Sequence, residues 1–409
     1  MRILLLCHYY PPETNAPAAR SSEHARHWAA AGHEVTVVTC APSHPRGRLY
    51  PGYRNRLFQE ERSEGVRVAR VWSHIAPNAG VSRRAASHLS FAFSALAALP
   101  RLGRPDVILS TSPQFFCGLA GLPARRMTGA RWVFEVRDLW PESILAVGAM
   151  ARGGAIRGLE ALEARAYRAA DHVVPVAEGF VPHIAARRGG AEGITVLRNG
   201  VDLAAFRPAA QEDAAAAKAR FGLSGRFVAT YAGTHGMAHG LDAVLDAAAL
   251  LRDEPGVGFL LVGDGAEQAR LAARARAMAL PNLRVTGPLP RAEMPAVLAA
   301  SDASLVLLRD RPAFARVLPS KLAEAMAAAK PVVLGVRGAA RAELEAAGAG
   351  IAVTPESAEE IAAAVLRLAR DPDEAARMGR RGRAHAERHF DRRRIAAEYL
   401  SLLEEVAAA

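Results

Sequence analysis

An amine and a carboxylate three residues apart, at the start of a small apolar helix, are the first groups in this sequence that could do chemistry. They lie in Val317-Leu318-Pro319-Ser320-Lys321-Leu322-Ala323-Glu324-Ala325-Met326-Ala327. Ser320 can cap such a helix, and Lys321 falls in its first turn, where a cation opposes the helix dipole unless an anion is close. Glu324, one turn on, can accept hydrogen bonds from a pair of sugar hydroxyls. A capped surface helix with an ordinary Lys–Glu pair is the plain alternative. Two glycine turns come earlier: Tyr231-Ala232-Gly233-Thr234-His235-Gly236, with Gly240-Leu241-Asp242 opening a helix, and Val262-Gly263-Asp264-Gly265. Glycine lets the backbone approach a ligand closely, and a helix N-terminus offers unpaired N–H groups to an anion. Either turn alone reads equally well as an ordinary strand-to-helix connection. In the first half, Arg137-Asp138 follow an apolar run, and Arg20 sits on the opening turn of a helix, placed to meet a phosphate.

The elements that must position these groups alternate. Residues 2–7 read as a fully apolar strand, 17–31 as a helix ended by Gly32, and 34–39 as the next strand. Strand, helix and strand at this spacing predict a parallel sheet with a right-handed crossover. The alternation continues through strands at 106–110, 131–136 and 171–176, with helices at 118–128 and 155–170. A second series starts near residue 226, with strands at 226–232, 258–262, 283–286, 303–308, 331–335 and 351–353. Helices at 240–252, 266–279, 294–300, 318–329 and 341–347 separate them, and residues 359–406 read as helical and rich in arginine. Two such series joined near 198–208 predict an α/β protein with twin doubly wound domains, whose ligands bind beyond the carboxyl ends of the strands.

Bulk properties narrow the classes. At 409 residues, 51% hydrophobic and 23% charged, the chain is too long for one core and average for a soluble protein. No apolar run approaches the roughly 20 residues that span a bilayer, and the run after Arg2 is short enough to be a buried strand. Cys7, Cys40 and Cys117 have no metal or scaffold spacing, which predicts core thiols and a reduced, cytoplasmic setting. Residues 1–200 carry 25 arginines against 15 acidic residues, whereas the whole chain nets +11, so nearly all the excess lies in the first half. A basic half steers anionic partners toward itself. Residues 83–99, apolar after Arg83 and Arg84, fit either an interfacial helix or a buried one. Asp371-Pro372-Asp373 is the only Asp-x-Asp and falls far from the turns above, so no metal site is expected. No Gly-x-Gly-x-x-Gly follows the first strand, which argues against a Rossmann dehydrogenase. The lack of an aromatic-interleaved basic stripe or zinc pattern argues against nucleic acid as a partner.

Taken in order, these motifs resemble family 4 of the nucleotide-sugar glycosyltransferases, which have the GT-B fold. Val196-Leu197-Arg198-Asn199-Gly200-Val201-Asp202, with Phe206 and Pro208, is similar to the family's entry into its second domain. Val262–Gly265, Asn282–Gly287, Pro319–Ala327 and Lys330-Pro331-Val332 resemble its later signatures. Phe134-Glu135-Val136-Arg137-Asp138-Leu139-Trp140-Pro141-Glu142-Ser143 looks like a subgroup that builds bacterial O-antigen and capsule sugars and includes N-acetylfucosamine-type transferases. The resemblance implies two Rossmann-like domains facing across a cleft: 1–198 for the acceptor, 199–385 for the donor, and a helix at 386–409 crossing back to the first.

It further implies a retaining, metal-independent transfer of a hexosyl or N-acetylhexosaminyl group. The donor would be a nucleotide-sugar, UDP-linked, consumed as a substrate and not held as a cofactor. The acceptor would be a lipid-diphosphate-linked saccharide at the anionic inner face of the membrane, with the protein a peripheral cytoplasmic one. Lys321, Arg316 and the helix N-termini after Gly236 and Ser320 would neutralise the diphosphate, and Glu324 would hold the ribose. Gly233, Thr234, His239, Gly263, Asp264, Gly265, Pro288, Leu289, Leu318 and Pro319 would complete the donor site. Arg137 and Asp138, catalytic candidates where many relatives have a histidine, would line the acceptor side, with Asp138 orienting a hydroxyl or stabilising positive charge on the donor sugar, or else form a structural pair. Tyr9, Glu13, Asn15 and Arg20 would line the acceptor side. Two departures stand out. Arg316 occupies the place of a usual glutamate eight positions before Glu324, and Met237-Ala238-His239 replaces a usual basic residue. A nucleotide-sugar-binding protein with impaired catalysis, or a nucleotide-sugar 2-epimerase, are the alternatives.

Overall fold

The computed structural model describes residues 1–13, 15–44, 47–76, 81–146, 148 and 150–409. Two compact units make up the chain: Met1–Arg198 with Arg393–Ala409, and Asn199–Arg392.

The first unit is built on a seven-stranded sheet. In chain order its strands are β1 (Arg2–Leu6), β2 (Glu34–Cys40), β3 (Phe58–Ser63), β4 (Val66–Val71), β5 (Val107–Thr111), β6 (Arg131–Val136) and β7 (His172–Pro175). They lie in the order β3-β4-β2-β1-β5-β6-β7. All neighbours are parallel except β3 and β4. The central strands are apolar on both faces because helices cover both, as parallel sheets require. Leu4 pairs with Thr36 on one side and Ile108 on the other. The β3–β4 hairpin is absent from the sequence-based reading, which places no strand between residues 39 and 106. Its turn, Glu64-Gly65, has positive φ at both residues (50° and 81°), the geometry of a tight two-residue hairpin. β3 is the charged, largely exposed edge Phe58-Gln59-Glu60-Glu61-Arg62-Ser63, so it lacks the buried pattern that reveals a strand.

The helix Arg392–Ala408 closes this unit. Tyr399, Leu402, Leu403 and Val406 pack with Ala25, Trp28, Val35 and Val66 in one core cluster. The Trp28 indole donates to the Ala396 carbonyl at 3.0 Å. The return begins later than residue 386: the helix Pro372–His389 and the bridge between Val201 and Asp391 stay with the second unit, which runs to Arg392. The helix Val81–Ala98 is buried on one side only. Phe91, Ala92 and Ala95 are buried, while Leu89 and Phe93 face outward, Phe93 being 71% exposed. The three cysteines are buried free thiols.

The second unit holds six parallel strands: β8 (Phe227–Ala232), β9 (Val257–Val262), β10 (Leu283–Thr286), β11 (Ala303–Leu307), β12 (Val332–Gly335) and β13 (Gly350–Ala352). Their order is β10-β9-β8-β11-β12-β13. Its core joins β8, β9, β11 and β12 to the helices Asp242–Leu250 and Ala358–Arg370. In each sheet the chain reverses its direction of growth once, between β1 and β5 and between β8 and β11. Those reversals open the crevices where such sheets bind ligands.

Candidate functional site

In the second unit the crevice is lined by the exits of β8 and β9 and by the helix Ser320–Ala327, which follows β11 through the turn Pro312–Arg316. Three glycines let these loops interlock. A Cβ on Gly263 would overlap the Gly233 carbonyl oxygen, one on Gly265 the His235 backbone, and one on Gly233 the Lys321 side chain. Positive φ at all three (143°, 152° and 153° in chain order) points the same way.

Lys321 is folded inward. Its amine lies 3.9 Å from the centroid of the Tyr231 ring and donates to the Tyr231 hydroxyl, which donates in turn to the Thr234 carbonyl at 2.7 Å. Burial pulls the amine down to about 7, against the opposing pull of the Glu324 charge. Glu324 is held from the other side, its Oε1 accepting from Arg291 Nη2 at 3.1 Å. Lys321, Glu324, Gly233, Thr234, Gly236, Gly263, Asp264 and Gly265 are thus brought to one crevice. Leu289 packs on the Leu260–Val262 side of the sheet beside the exposed Pro288. Asp264 accepts from the Gly265 N–H at 2.8 Å, which shapes its own turn. Arg316, at the end of its turn, is half-buried, as are Leu318, Pro319 and Ser320.

Two expectations change. Ser320 is the first helical residue and not the cap: Pro319 holds that position, and no side chain caps the helix. The first-turn N–H groups therefore have no side-chain acceptor there. His239 is not placed as a cation. Its Nδ1 rests 3.3 Å from the Leu307 carbonyl, and burial, helped by Lys321, pulls it down to about 3. His235 beside it is fully buried, its ring 5.9 Å from Tyr231. Tyr231 and His235 fall in the glycine turn that the sequence marks but have no role assigned by it, and Arg291 is not marked at all. Tyr231 reads there as one more apolar strand residue, and nothing local signals that a lysine 90 positions on will pair with it.

In the first unit, Arg20 does not stand open to a phosphate. It is 4% exposed, with Nε and Nη2 on Glu135 Oε2 at 3.0 and 2.9 Å and Nη1 on the Arg198 carbonyl at 2.9 Å. The buried guanidinium instead joins β6 to the end of the unit's main segment. Glu13 and Asn15 likewise anchor loops. Glu13 Oε1 accepts from the N–H groups of Ser43 and His44 at 2.9 Å each, and burial raises its pKa. Asn15 caps the helix Ala16–Ala30 through Ala18 N at 2.9 Å. Tyr9 stands edge-on to His8 and His44, with centroids 5.0 and 4.8 Å apart.

Arg137 and Asp138 follow β6 directly but are not the structural pair the sequence allows. The carboxylate nearest Arg137 is Glu135, 4.0 Å away, and the Arg137 N–H donates to Ser112 Oγ at 2.8 Å. Asp138 is pushed up to about 6 by burial, a hydrogen bond from Ser143 opposing. Glu135 is the one carboxylate in the apolar strand β6, a local signal of a buried partner. Burial pushes it up, and the charges of Arg20 and Arg137 more than offset this, leaving it below the usual carboxylate range.

This arrangement has relatives. Residues 15–200 match the glycosyl transferase 4-like domain, and residues 214–385 match the glycosyl transferases group 1 family. A putative colanic acid biosynthesis glycosyl transferase, WcaI, of Escherichia coli (strain K12) is 28% identical over 98% of this chain and 99% of its own. Among solved structures, a sucrose-phosphate synthase from Thermosynechococcus elongatus superposes with a TM-score of 0.78 at 19% identity, covering 100% of this chain and 99% of the other. Anabaena HepE in complex with UDP-glucose gives 0.73 at 20% identity, covering 98% of this chain and 100% of the other. Both likenesses show the two-domain Rossmann-like GT-B fold. With both halves matched in order, the chain belongs to the glycosyltransferases that join a 4-like domain to a group 1 domain.

Proposed function

We propose that the protein transfers a hexosyl or N-acetylhexosaminyl group from a UDP-sugar, with retention and without a metal or other cofactor, to a lipid-diphosphate-linked saccharide. The polysaccharide context follows the name of its E. coli relative, and the donor class follows HepE, whose complexes contain UDP and UDP-glucose. The observation that carries the reading is the second unit's crevice, where Lys321, Glu324 and an uncapped helix N-terminus meet.

There the donor diphosphate takes the place of Tyr231 as partner of Lys321, and the N–H groups of the Ser320 turn face its oxygens. Both strengthen as the leaving diphosphate gains charge, which is where electrostatic stabilisation lowers a barrier. Glu324, steadied by Arg291, accepts from the ribose hydroxyls. The acceptor oxygen bonds to the anomeric carbon as the bond to the diphosphate breaks on the same face. The acceptor's proton passes to the departing diphosphate oxygen, so no protein nucleophile is used. Asp138, at about 6, stands ready to orient a hydroxyl. Tyr9 and the loops that Glu13 and Asn15 anchor shape the acceptor side.

The first unit also carries a surface suited to an anionic membrane, which fits a peripheral place at its inner face. Leu57 (81% exposed), Trp72, Leu89 and Phe93 project from segments tied together: Trp72 N–H donates to the Leu57 carbonyl, and His74 N–H to Ser90 Oγ. Arg54, Arg56 and Arg83, close in sequence to Leu57 and Leu89, are exposed. No helix of the described residues is long and apolar enough to cross a membrane.

The test is a thermal-shift comparison of UDP, GDP, ADP and TDP, followed by turnover of labelled UDP-sugars on lipid acceptors with and without chelator. Stabilisation by UDP and chelator-resistant transfer support the reading. Stabilisation without turnover supports the second reading, a binding protein, which Arg316 in place of the usual glutamate favours.

A further inference from the structure

Arg137 is a buried cation that the described residues satisfy only in part. Its side chain is 8% exposed, and neither Nε nor Nη1 has a hydrogen-bond partner among the described residues. The one carboxylate near it is already occupied. Glu135 Oε2 takes two bonds from Arg20, and Oε1 accepts from the Thr111 hydroxyl at 2.8 Å while standing 4.0 Å from Arg137 Nε. Two guanidinium groups thus share one carboxylate, leaving an excess positive charge at the exit of β6. Leaving guanidinium nitrogens buried without hydrogen-bond partners is costly, and burial, against the pull of the Glu135 charge, lowers the Arg137 pKa to about 10. The Arg137 main chain is fixed to the exit of β5 through Ser112, and Arg137 itself follows the carboxyl end of β6, the end of a parallel sheet at which ligands bind.

We propose that Arg137 binds a phosphate oxyanion of the substrates in the first unit. A sugar hydroxyl could accept one N–H but not neutralise the charge. An oxyanion supplies the charge and two oxygens spaced for the planar edge of the guanidinium. The choice of phosphate rests on the proposed function, in which both the nucleotide and the lipid acceptor carry a diphosphate.

Calorimetry on the full chain distinguishes the two sources. UDP is titrated first, then inorganic diphosphate into UDP-saturated protein, for wild type, Arg137→Gln and Arg137→Lys. If the oxyanion is the acceptor's, UDP-saturated wild type binds diphosphate, Arg137→Gln binds it at least tenfold more weakly, and UDP affinity stays within twofold. If it is the nucleotide's own, Arg137→Gln weakens UDP itself tenfold or more. In both cases Arg137→Lys, which keeps the charge but loses the planar fork, falls between, and it serves alone should the glutamine variant not fold. Equal affinities for both ligands in wild type and variants overturn the proposal. So does an absence of diphosphate binding to UDP-saturated wild type when UDP affinity is insensitive to Arg137. If UDP binds no form of the protein, the donor reading fails by itself. Diphosphate titrated without nucleotide then decides the case of Arg137, a loss in Arg137→Gln upholding it and no change overturning it.

Discussion

Nucleotide binding should draw a proton from solvent, and Lys321 is the reason. In the unliganded protein its amine is buried against Tyr231 and held at about 7. At pH 8 a group with that pKa is about nine-tenths neutral. A diphosphate arriving at the amine favours the charged form and restores its affinity for the proton toward the ordinary lysine range. Binding at pH 8 should therefore take up about 0.9 proton per UDP, falling to about 0.1 at pH 6, where the amine is already charged. The assay is calorimetry in buffers of differing ionisation enthalpy, where the slope of observed heat against that enthalpy is the proton count. Lys321→Met should abolish the uptake and weaken UDP by roughly 1.5–3 kcal/mol, the scale of a hydrogen bond to a charged group. Its stability should shift with a definite sign. The folded pKa is depressed, so the unfolded chain binds more protons between about pH 7 and the unfolded lysine value, and wild-type stability gains from rising pH across that window. Lys321→Met removes this gain, so it should raise Tm relative to wild type more at pH 6 than at pH 10. A wild-type proton uptake near zero at pH 8, with UDP bound tightly, would refute the reasoning.

Other outcomes follow from the same geometry. Glu324→Gln should weaken binding of uridine and UDP by a similar factor, about tenfold for the lost charged acceptor, while diphosphate alone is unaffected in competition assays. Gly263→Ala should lower the Tm and cost about 2–4 kcal/mol in denaturant unfolding, because its methyl group meets the Gly233 carbonyl in a backbone conformation that disfavours side chains. Leu57→Ser combined with Phe93→Ser should reduce sedimentation with phosphatidylglycerol vesicles severalfold, leave neutral vesicles unchanged, and not alter the UDP thermal shift. Equal sedimentation of variant and wild type would remove the membrane assignment from this surface.

The strands beneath the site were legible because they are buried on both faces. Arg2–Leu6, Val257–Val262 and Ala303–Leu307 are nearly unbroken apolar runs. β3 was not, since a charged edge strand has no buried face to give it a period, and β4, though buried, carries Arg67 and Arg70 among its valines. The glycine turns could be read as points of close approach, but not that Gly263 meets Gly233 and Gly265 meets His235, because those contacts join different loops.

The order of elements, the two successive domains and the placing of Lys321 and Glu324 one turn apart on one helix were set by local sequence, where spacing and burial pattern act over a few residues. The state of each charged group was decided only by tertiary structure. Arg20 looked open to a phosphate until the fold brought Glu135, 115 positions away, against it. Lys321 looked like a solvated cation until Tyr231, 90 positions earlier, closed over it. Arg137 and Asp138, adjacent in sequence, became one buried cation without a full partner and one carboxyl with a raised pKa. A charge's behaviour depends on what surrounds it within a few ångströms, and in a doubly wound sheet those surroundings come from strands and helices far apart in the chain.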